Sequence, residues 1–318
     1  MMKSIQFFKR PANAFLHLSL AILLCCTISC KDKKQASGHK ANTGTGKIKV
    51  AILVYPGMEL LDFSGPAEVF SNARGFEVFS VSSVKGTVST VNGAVSINPD
   101  YTLNNAPLAD ILVVPGGPIE ITGKLGDEPA VMDYIRSTNA RTKLTMSVCT
   151  GAEILAKAGI LDGKKATTHS GALDTLQKLF PKTQFIPDVR FVEDGKVITT
   201  AGVSAGIDGA LHVVEKLAGL KEAYFVTSVM EYDKWKPEDG FVVRMKTEPR
   251  QMQKMEMSPV KKSEPGTVSS GEVQKDIICG MDVSGNAYTS NFKGKSYHFC
   301  SASCKKLFDQ HPDLYAVK

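Results

Sequence analysis

The chain has 318 residues, 43% of them apolar and 22% charged, with a formal charge of +6, 7 cysteines, 27 glycines and 15 prolines. That composition excludes disorder throughout, a collagen-like repeat and a disulfide-dense miniprotein. The length allows one core of roughly 200 residues plus a smaller unit, or two modest domains. Excess basic charge hints at nucleic acid or membrane, and its meaning depends on where along the chain it lies.

Lys3, Lys9 and Arg10 precede an apolar run from Phe15 to Ile28, and Ser29-Cys30 then meets Lys31-Asp32-Lys33-Lys34. This is the layout of a bacterial secretory signal, and the run is shorter than the about 20 residues a comfortable membrane span needs. Cys30, after the small Ser29, resembles the lipid-modified cysteine of bacterial lipoproteins, with Cys25 or Cys26 as alternatives and an uncleaved signal anchor as the competing reading. Each reading ties the protein to a membrane of the cell envelope. Residues 1–29, taken as the signal peptide, hold three basic and no acidic side chains, so cleavage before Cys30 removes half of the formal charge. No basic patch with interleaved aromatics is left to argue for nucleic acid as a partner.

Residues 30–47 are mostly polar and cannot offset their ordering entropy by burial, so they read as a flexible tether. From Ile48 the pattern becomes short apolar runs alternating with amphipathic stretches of helical length, which is how a parallel sheet covered by helices is written. Candidate strands are 49–54, 77–81, 110–114, 143–148 and 166–169, and Asp194-Gly195 between two apolar runs predicts a hairpin with a primed turn. Candidate helices are 66–73, 128–139, 151–158, 173–179, 205–217 and 221–232. The class is an α/β sandwich over residues 48–233. Residues 234–274, rich in Lys, Glu, Pro, Ser and Met, read as a linker, and residues 275–318 form a small cysteine-rich module.

The chemistry begins at Cys149. An apolar strand delivers it directly to Thr150-Gly151 and a helix, and Gly151 leaves room for the sharp turn of a nucleophile elbow. The helix dipole there favours thiolate over thiol; a buried structural cysteine is the alternative. Val113-Val114-Pro115-Gly116-Gly117 ends a strand in paired glycines whose amides, with that of Thr150, are candidate oxyanion donors. Asp62 lies in the loop after the first strand, just before a helix that Pro66 can start. In a parallel sheet all three loops lie at the carboxyl ends of strands, where such folds place their sites.

The stretches LLDFSGPAEVF around Asp62, VVPGG at 113–117, SVCTGAEILAKAGILDGKKATTH at 147–169 and FVEDGKVITTAGVSAGIDGALHVVEKLAG at 191–219 carry a family resemblance. Residues 48–233 resemble the ThiJ/PfpI family of the class I glutamine amidotransferase-like superfamily, in the branch of isonitrile hydratases and AraC-type sensor domains. The resemblance implies a flavodoxin-like three-layer sandwich with a mostly parallel sheet, a homodimer, and no cofactor for this domain. It makes Cys149 the elbow nucleophile, Asp62 the carboxylate that hydrogen-bonds it, Gly116 and Gly117 the oxyanion-side glycines, Thr150 a residue used in isonitrile hydration, and His169 the histidine near the cysteine, as base or polar lining. A peptidase branch has His after the cysteine where this chain has Thr150. His212, at i and i+3 with Glu215 and off the apolar stripe of its helix, reads as a solvated or rim residue.

With these residues, a Cys149 thiolate attacks a small electrophile. An isonitrile gives a thioimidate and a glyoxal a hemithioacetal, while Asp62, kept protonated by the thiolate and partial burial, donates and then accepts a proton. Isonitrile hydratase-, glyoxalase- or amidase-like chemistry is expected; ligand or redox sensing is the competing use of such a thiol.

In the tail, Ile278-Cys279-Gly280-Met281, Tyr297-His298-Phe299-Cys300 and Cys304 four residues on resemble the YHS domain, a metal-associated module. Cys300 and Cys304 are one helical turn apart, and a hairpin through Asn286 to Lys295 returns Cys279 to them. Three thiolates suit Cu(I) or Zn(II), with the fourth position open or filled by His298, His311 or Met281, His298 first among them. A disulfide among the three cysteines is the alternative.

Overall fold

The computed structural model describes residues 46–243, 274–283 and 288–316. The expected signal peptide, Cys30, almost all of the tether and most of the linker lie outside them. Among the described residues no helix is long and apolar enough to cross a membrane.

The apolar runs form one eight-stranded sheet: β1 (Ile48–Val54), β2 (Phe76–Ser82), β3 (Tyr101–Thr102), β4 (Ile111–Val114), β5 (Leu144–Ser147), β6 (Phe191–Asp194), β7 (Val197–Thr200) and β8 (Gly240–Val242). Their spatial order is β8-β6-β7-β5-β4-β1-β2-β3. All neighbours are parallel except β6 and β7, the predicted hairpin, whose turn begins at Gly195 with φ of 68°. Alternate side chains leave β1 toward opposite faces: Val50 and Ile52 into one core, Ala51 and Leu53 into the other. Burial on both faces explains why these strands read as continuous apolar runs.

One face is covered by α1 (Leu60–Asn72), α6 (Ala205–Ala218) and α7 (Leu220–Val229), the other by α2 (Ile119–Leu125), α3 (Pro129–Arg141), α4 (Gly151–Lys157) and α5 (Leu173–Leu179). This is the three-layer arrangement with a mostly parallel sheet. Strand β3 and helix α2 are not among the expected elements, and three further details depart from the sequence expectation. Helix α1 starts six residues before Pro66, so Asp62 sits inside its first turn and not ahead of it. The run at 166–169 gives only a two-residue strand, Lys165–Ala166, which pairs with Gln184–Phe185 outside the main sheet. Gly240–Val242, within the stretch read as linker, is the outer strand of the sheet, and Trp235 before it is buried. A three-residue edge strand carries no periodicity to find, and this one exists because Gly240 lets the ring of Phe191 lie where a side chain would stand.

The tail folds into β9 (Gln274–Lys275), β10 (Asp282–Val283), the hairpin β11 (Tyr288–Phe292) and β12 (Lys295–Phe299), then α8 (Ala302–Gln310) and α9 (Pro312–Tyr315). Lys293 and Gly294, both at positive φ, form the hairpin turn. Ser301 caps α8 by accepting from the Cys304 amide at 3.2 Å. Ile278, Phe299, Leu307, Phe308 and Tyr315 make a small core that packs on Tyr224 and Phe225 of α7.

Candidate functional sites

Cys149 joins β5 to α4 at φ of 57°, a left-handed conformation unusual for any residue but glycine. Neighbouring strands hold it there: the Val148 amide donates to the Val114 carbonyl at 3.0 Å, and the Cys149 amide to the carbonyls of Thr200 and Ala201 at 3.2 and 3.1 Å. From another side, the Thr168 hydroxyl donates to the Cys149 carbonyl at 2.9 Å. Gly151 is required because a Cβ there would stand 2.2 Å from the Val114 carbonyl oxygen. Across the turn lies a second strained residue, Val203, at φ of 47°. A β-branched residue in this region is an outlier. The amides of Thr150 and Val203 both act on the Cys149 sulfur.

Asp62, fully buried, accepts from the Gly116 amide through Oδ2 at 3.0 Å, and its Oδ1 has no hydrogen-bond partner. Burial, with a smaller push from Glu59, lifts this carboxyl to about 7, against the pull of the Gly116 amide and the Cys149 thiol. Burial and the nearby Asp62 push Cys149 up to about 12, and the amides of Thr150 and Val203 pull it down by less. The helix behind it has only seven residues, a short dipole to set against desolvation. The thiolate expected from the elbow is therefore not the resting form. Thiol and carboxyl share a dry space in which Asp62 opposes the thiolate, while the Cys149 thiol favours the carboxylate.

The two glycines serve close approach. A Cβ at Gly116 would lie 2.6 Å from the Thr150 amide and hydroxyl. Neither glycine amide is free for an oxyanion: that of Gly116 donates to Asp62, and that of Gly117 to the Thr150 hydroxyl at 2.9 Å. Thr150 returns a bond to the Gly117 carbonyl at 2.6 Å, so its hydroxyl locks the two loops together. His169 accepts from the Gly171 amide through Nδ1 at 3.0 Å, which in a neutral ring puts the proton on Nε2. Its ring lies against Gly202, next to Val203, and makes no hydrogen bond to Cys149 or Asp62. His212 is not solvated: it stacks on Phe191 with ring centroids 4.3 Å apart and meets Glu193 at 2.6 Å. Burial lowers its pKa, but the bonds to Glu193 and Glu215 outweigh this and raise it. The Val203 amide is invisible in the residues, because a backbone donor has no side-chain signature.

The tail brings a second group together. Cys279, Cys300, Cys304 and Asp276 place one donor atom each within 4.8 Å of one another. The sulfurs of Cys279 and Cys300 are 3.4 Å apart and those of Cys300 and Cys304 3.9 Å, near the about 3.8 Å edge of a tetrahedron with metal–sulfur bonds of about 2.3 Å. All three cysteines are free thiols. His298 is not with them; it lies on β12 with Nδ1 3.4 Å from the Thr289 hydroxyl. His311 stacks on Tyr224 and Met281 is exposed. The fourth member, Asp276, was missed, although Asp three residues before Cys279 is the spacing of a turn-capping carboxylate. It accepts from the amides of Ile278 and Cys300 at 2.8 Å each and from that of Cys279 at 3.4 Å. Burial raises its pKa, and the amides of Cys300 and Ile278 together with the thiols of Cys300 and Cys304 overcome that and lower it. Burial and Asp276 push the Cys300 thiol up to about 11, so a metal entering here displaces protons.

Residues 48–216 match the DJ-1/PfpI family. The chain belongs to that family. Residues 274–318 match the YHS domain. Among curated proteins the chain is 34% identical over 194 residues to isonitrile hydratase of Pseudomonas putida, covering 61% of this chain and 82% of that one. It is 30% identical to protein DJ-1alpha of Drosophila melanogaster, covering 60% and 87%. Among solved structures, a ThiJ/PfpI family protein from Pseudomonas syringae superposes with a TM-score of 0.55 at 32% identity, over 60% of this chain and 78% of that one. Drosophila DJ-1beta gives 0.52 at 26%, over 58% and 98%. In this DJ-1/PfpI chain the elbow cysteine faces an aspartic carboxyl.

Asp62→Asn tests the strain at that carboxyl. The folded pKa exceeds the unfolded one, so the native state binds the extra proton between about pH 4 and 7, and stability falls as pH rises through that window. Asn keeps the acceptor for Gly116 and removes the charge. The variant should be more stable than wild type at pH 8, by at most ~4 kcal/mol in unfolding free energy, with the gap closing toward pH 4. A gap that does not change with pH contradicts the titration assigned to Asp62.

Proposed function

We propose that the DJ-1/PfpI domain adds water to a small carbon electrophile, with isonitriles as the substrate class, and that the YHS module holds a soft metal ion. The observation that carries the first half is Asp62: a buried carboxyl titrating near neutrality beside a neutral thiol, with one oxygen lacking a partner. Its carboxylate takes the thiol proton as sulfur attacks the terminal carbon, and its acid form returns that proton to the same carbon, giving a thioimidate on Cys149. Water then adds, the C–S bond breaks, the thiol is restored and an N-substituted formamide leaves. No oxyanion forms in the first step, which suits a site whose glycine amides are engaged within the protein. Amide hydrolysis would need those donors and a base at His169, whose Nδ1 is already an acceptor. Redox sensing is favoured less, since burial holds the thiol protonated. The similarity to isonitrile hydratase supports the same choice of substrate.

The donor set of three thiolates and a carboxylate supports zinc or cuprous copper in the module. We place the protein in the cell envelope, tethered through a lipid on Cys30, on the charge and apolar pattern of residues 1–34.

With an alkyl isonitrile, wild type should form the formamide and Cys149→Ser should form none above background. Turnover should rise about tenfold from pH 6 to pH 8 as Asp62 ionises and can accept the thiol proton. Formamide production that persists without Cys149 sinks this reading. Metal analysis of the intact chain should find one ion per chain, lost in Cys304→Ser; equal metal content in that variant removes the ligand assignment. In a bacterial host, Cys30→Ser should move the protein from the membrane fraction to the soluble fraction, and unchanged partition counts against the anchor.

A further inference from the structure

Helix α7 belongs to two cores at once. Ala223 and Val226 face the sheet, while Tyr224 and Phe225 pack on the apolar cluster of the YHS module. The Tyr224 ring stacks on His311 at 3.9 Å, and the Tyr315 hydroxyl donates to the Lys221 carbonyl at 3.1 Å. Arg74, just after α1, reaches the same junction. Glu222 grips its guanidinium from Nε and one terminal nitrogen at 2.9 and 2.6 Å, and the group lies over Phe225, 4.2 Å from the ring centroid. The other terminal nitrogen reaches the carbonyl of Ile278 at 3.5 Å, on the peptide that leads into Cys279.

A module of ~45 residues has little core with which to hold three thiols in place. The larger domain supplies what is lacking: two aromatic rings under the apolar cluster, and a fixed cation beside the turn that carries Cys279. A loaded centre is anionic, because three thiolates and the Asp276 carboxylate outnumber the charges of a divalent ion. Glu222 offsets part of the Arg74 charge, so the larger effect of Arg74 is to hold the turn, and it can do so only while the module is docked. We propose that Arg74 is a positioning residue of the metal centre, and that metal loading and docking of the module on α7 are coupled. This rests on the metal reading of the cysteine cluster. Coupling is reciprocal, so whatever docking adds to metal affinity, metal adds to docking.

The test is zinc titration of the intact chain against a chromophoric chelator, with hydrogen exchange followed in α7. Wild type should bind one zinc and exchange its α7 amides more slowly when loaded. Arg74→Ala and Tyr224→Ala should each weaken zinc binding by ~10-fold or more, the usual effect of losing a residue that orients a metal ligand, and should abolish the zinc-dependent slowing. Arg74→Lys keeps the charge without the fork and should fall between. Variants that bind zinc as wild type does overturn the coupling and leave the metal reading standing. Weakened binding with the slowing intact also overturns it. The titration is run with cuprous ion as well, and a wild type that takes up neither ion overturns both.

Discussion

The DJ-1/PfpI site depends on one backbone constraint: the chain must leave β5 and enter α4 in a single left-handed step at Cys149. That step costs of order 1–3 kcal/mol, and it persists because the strands on either side take up the amides around it. The same constraint explains the glycines. Gly151 exists so that the turn can press against the Val114 carbonyl, and Gly116 so that the next loop can close on Thr150. Val203 adds a second strained residue, and the two together aim backbone amides at one sulfur. Strain and donors are thus concentrated where the rest of the sheet is rigid enough to hold them.

Much of this was legible from the residues. Apolar runs buried on both faces marked the inner strands, and Cys149-Thr150-Gly151 after such a run marked the elbow. What stayed hidden was mostly backbone. The paired glycines read as oxyanion donors because paired amides near a nucleophile often are, yet in the fold one amide serves Asp62 and the other Thr150. Asp62 was found, but its place inside α1 was not, because Pro66 reads as a helix start and here lies seven residues into one. From the residues, His298, His311 and Met281 are the candidates for the fourth position, and Asp276 is not among them. His298 pairs with Thr289 across the hairpin, while Asp276 is fixed by three amides, of which only the turn-capping spacing to Cys279 leaves a trace in the residues.

The two sulfur sites set the same buried carboxylate to opposite uses. Asp62 and Asp276 are both almost wholly inaccessible, and each stands beside cysteine. Desolvation is the largest influence on both, and in each case it favours the protonated acid. The difference lies in the donors around each. Asp62 receives one amide and is left with an unpartnered oxygen, and its carboxyl titrates at about 7. Asp276 receives three amides, which fix the backbone of two of the cysteines around it, and the amides of Cys300 and Ile278 with the thiols of Cys300 and Cys304 lower its pKa. A carboxylate of the first kind suits proton transfer and one of the second kind suits a cation. Which kind a buried Asp becomes is therefore decided by the loop that folds over it, and only then by the residue itself.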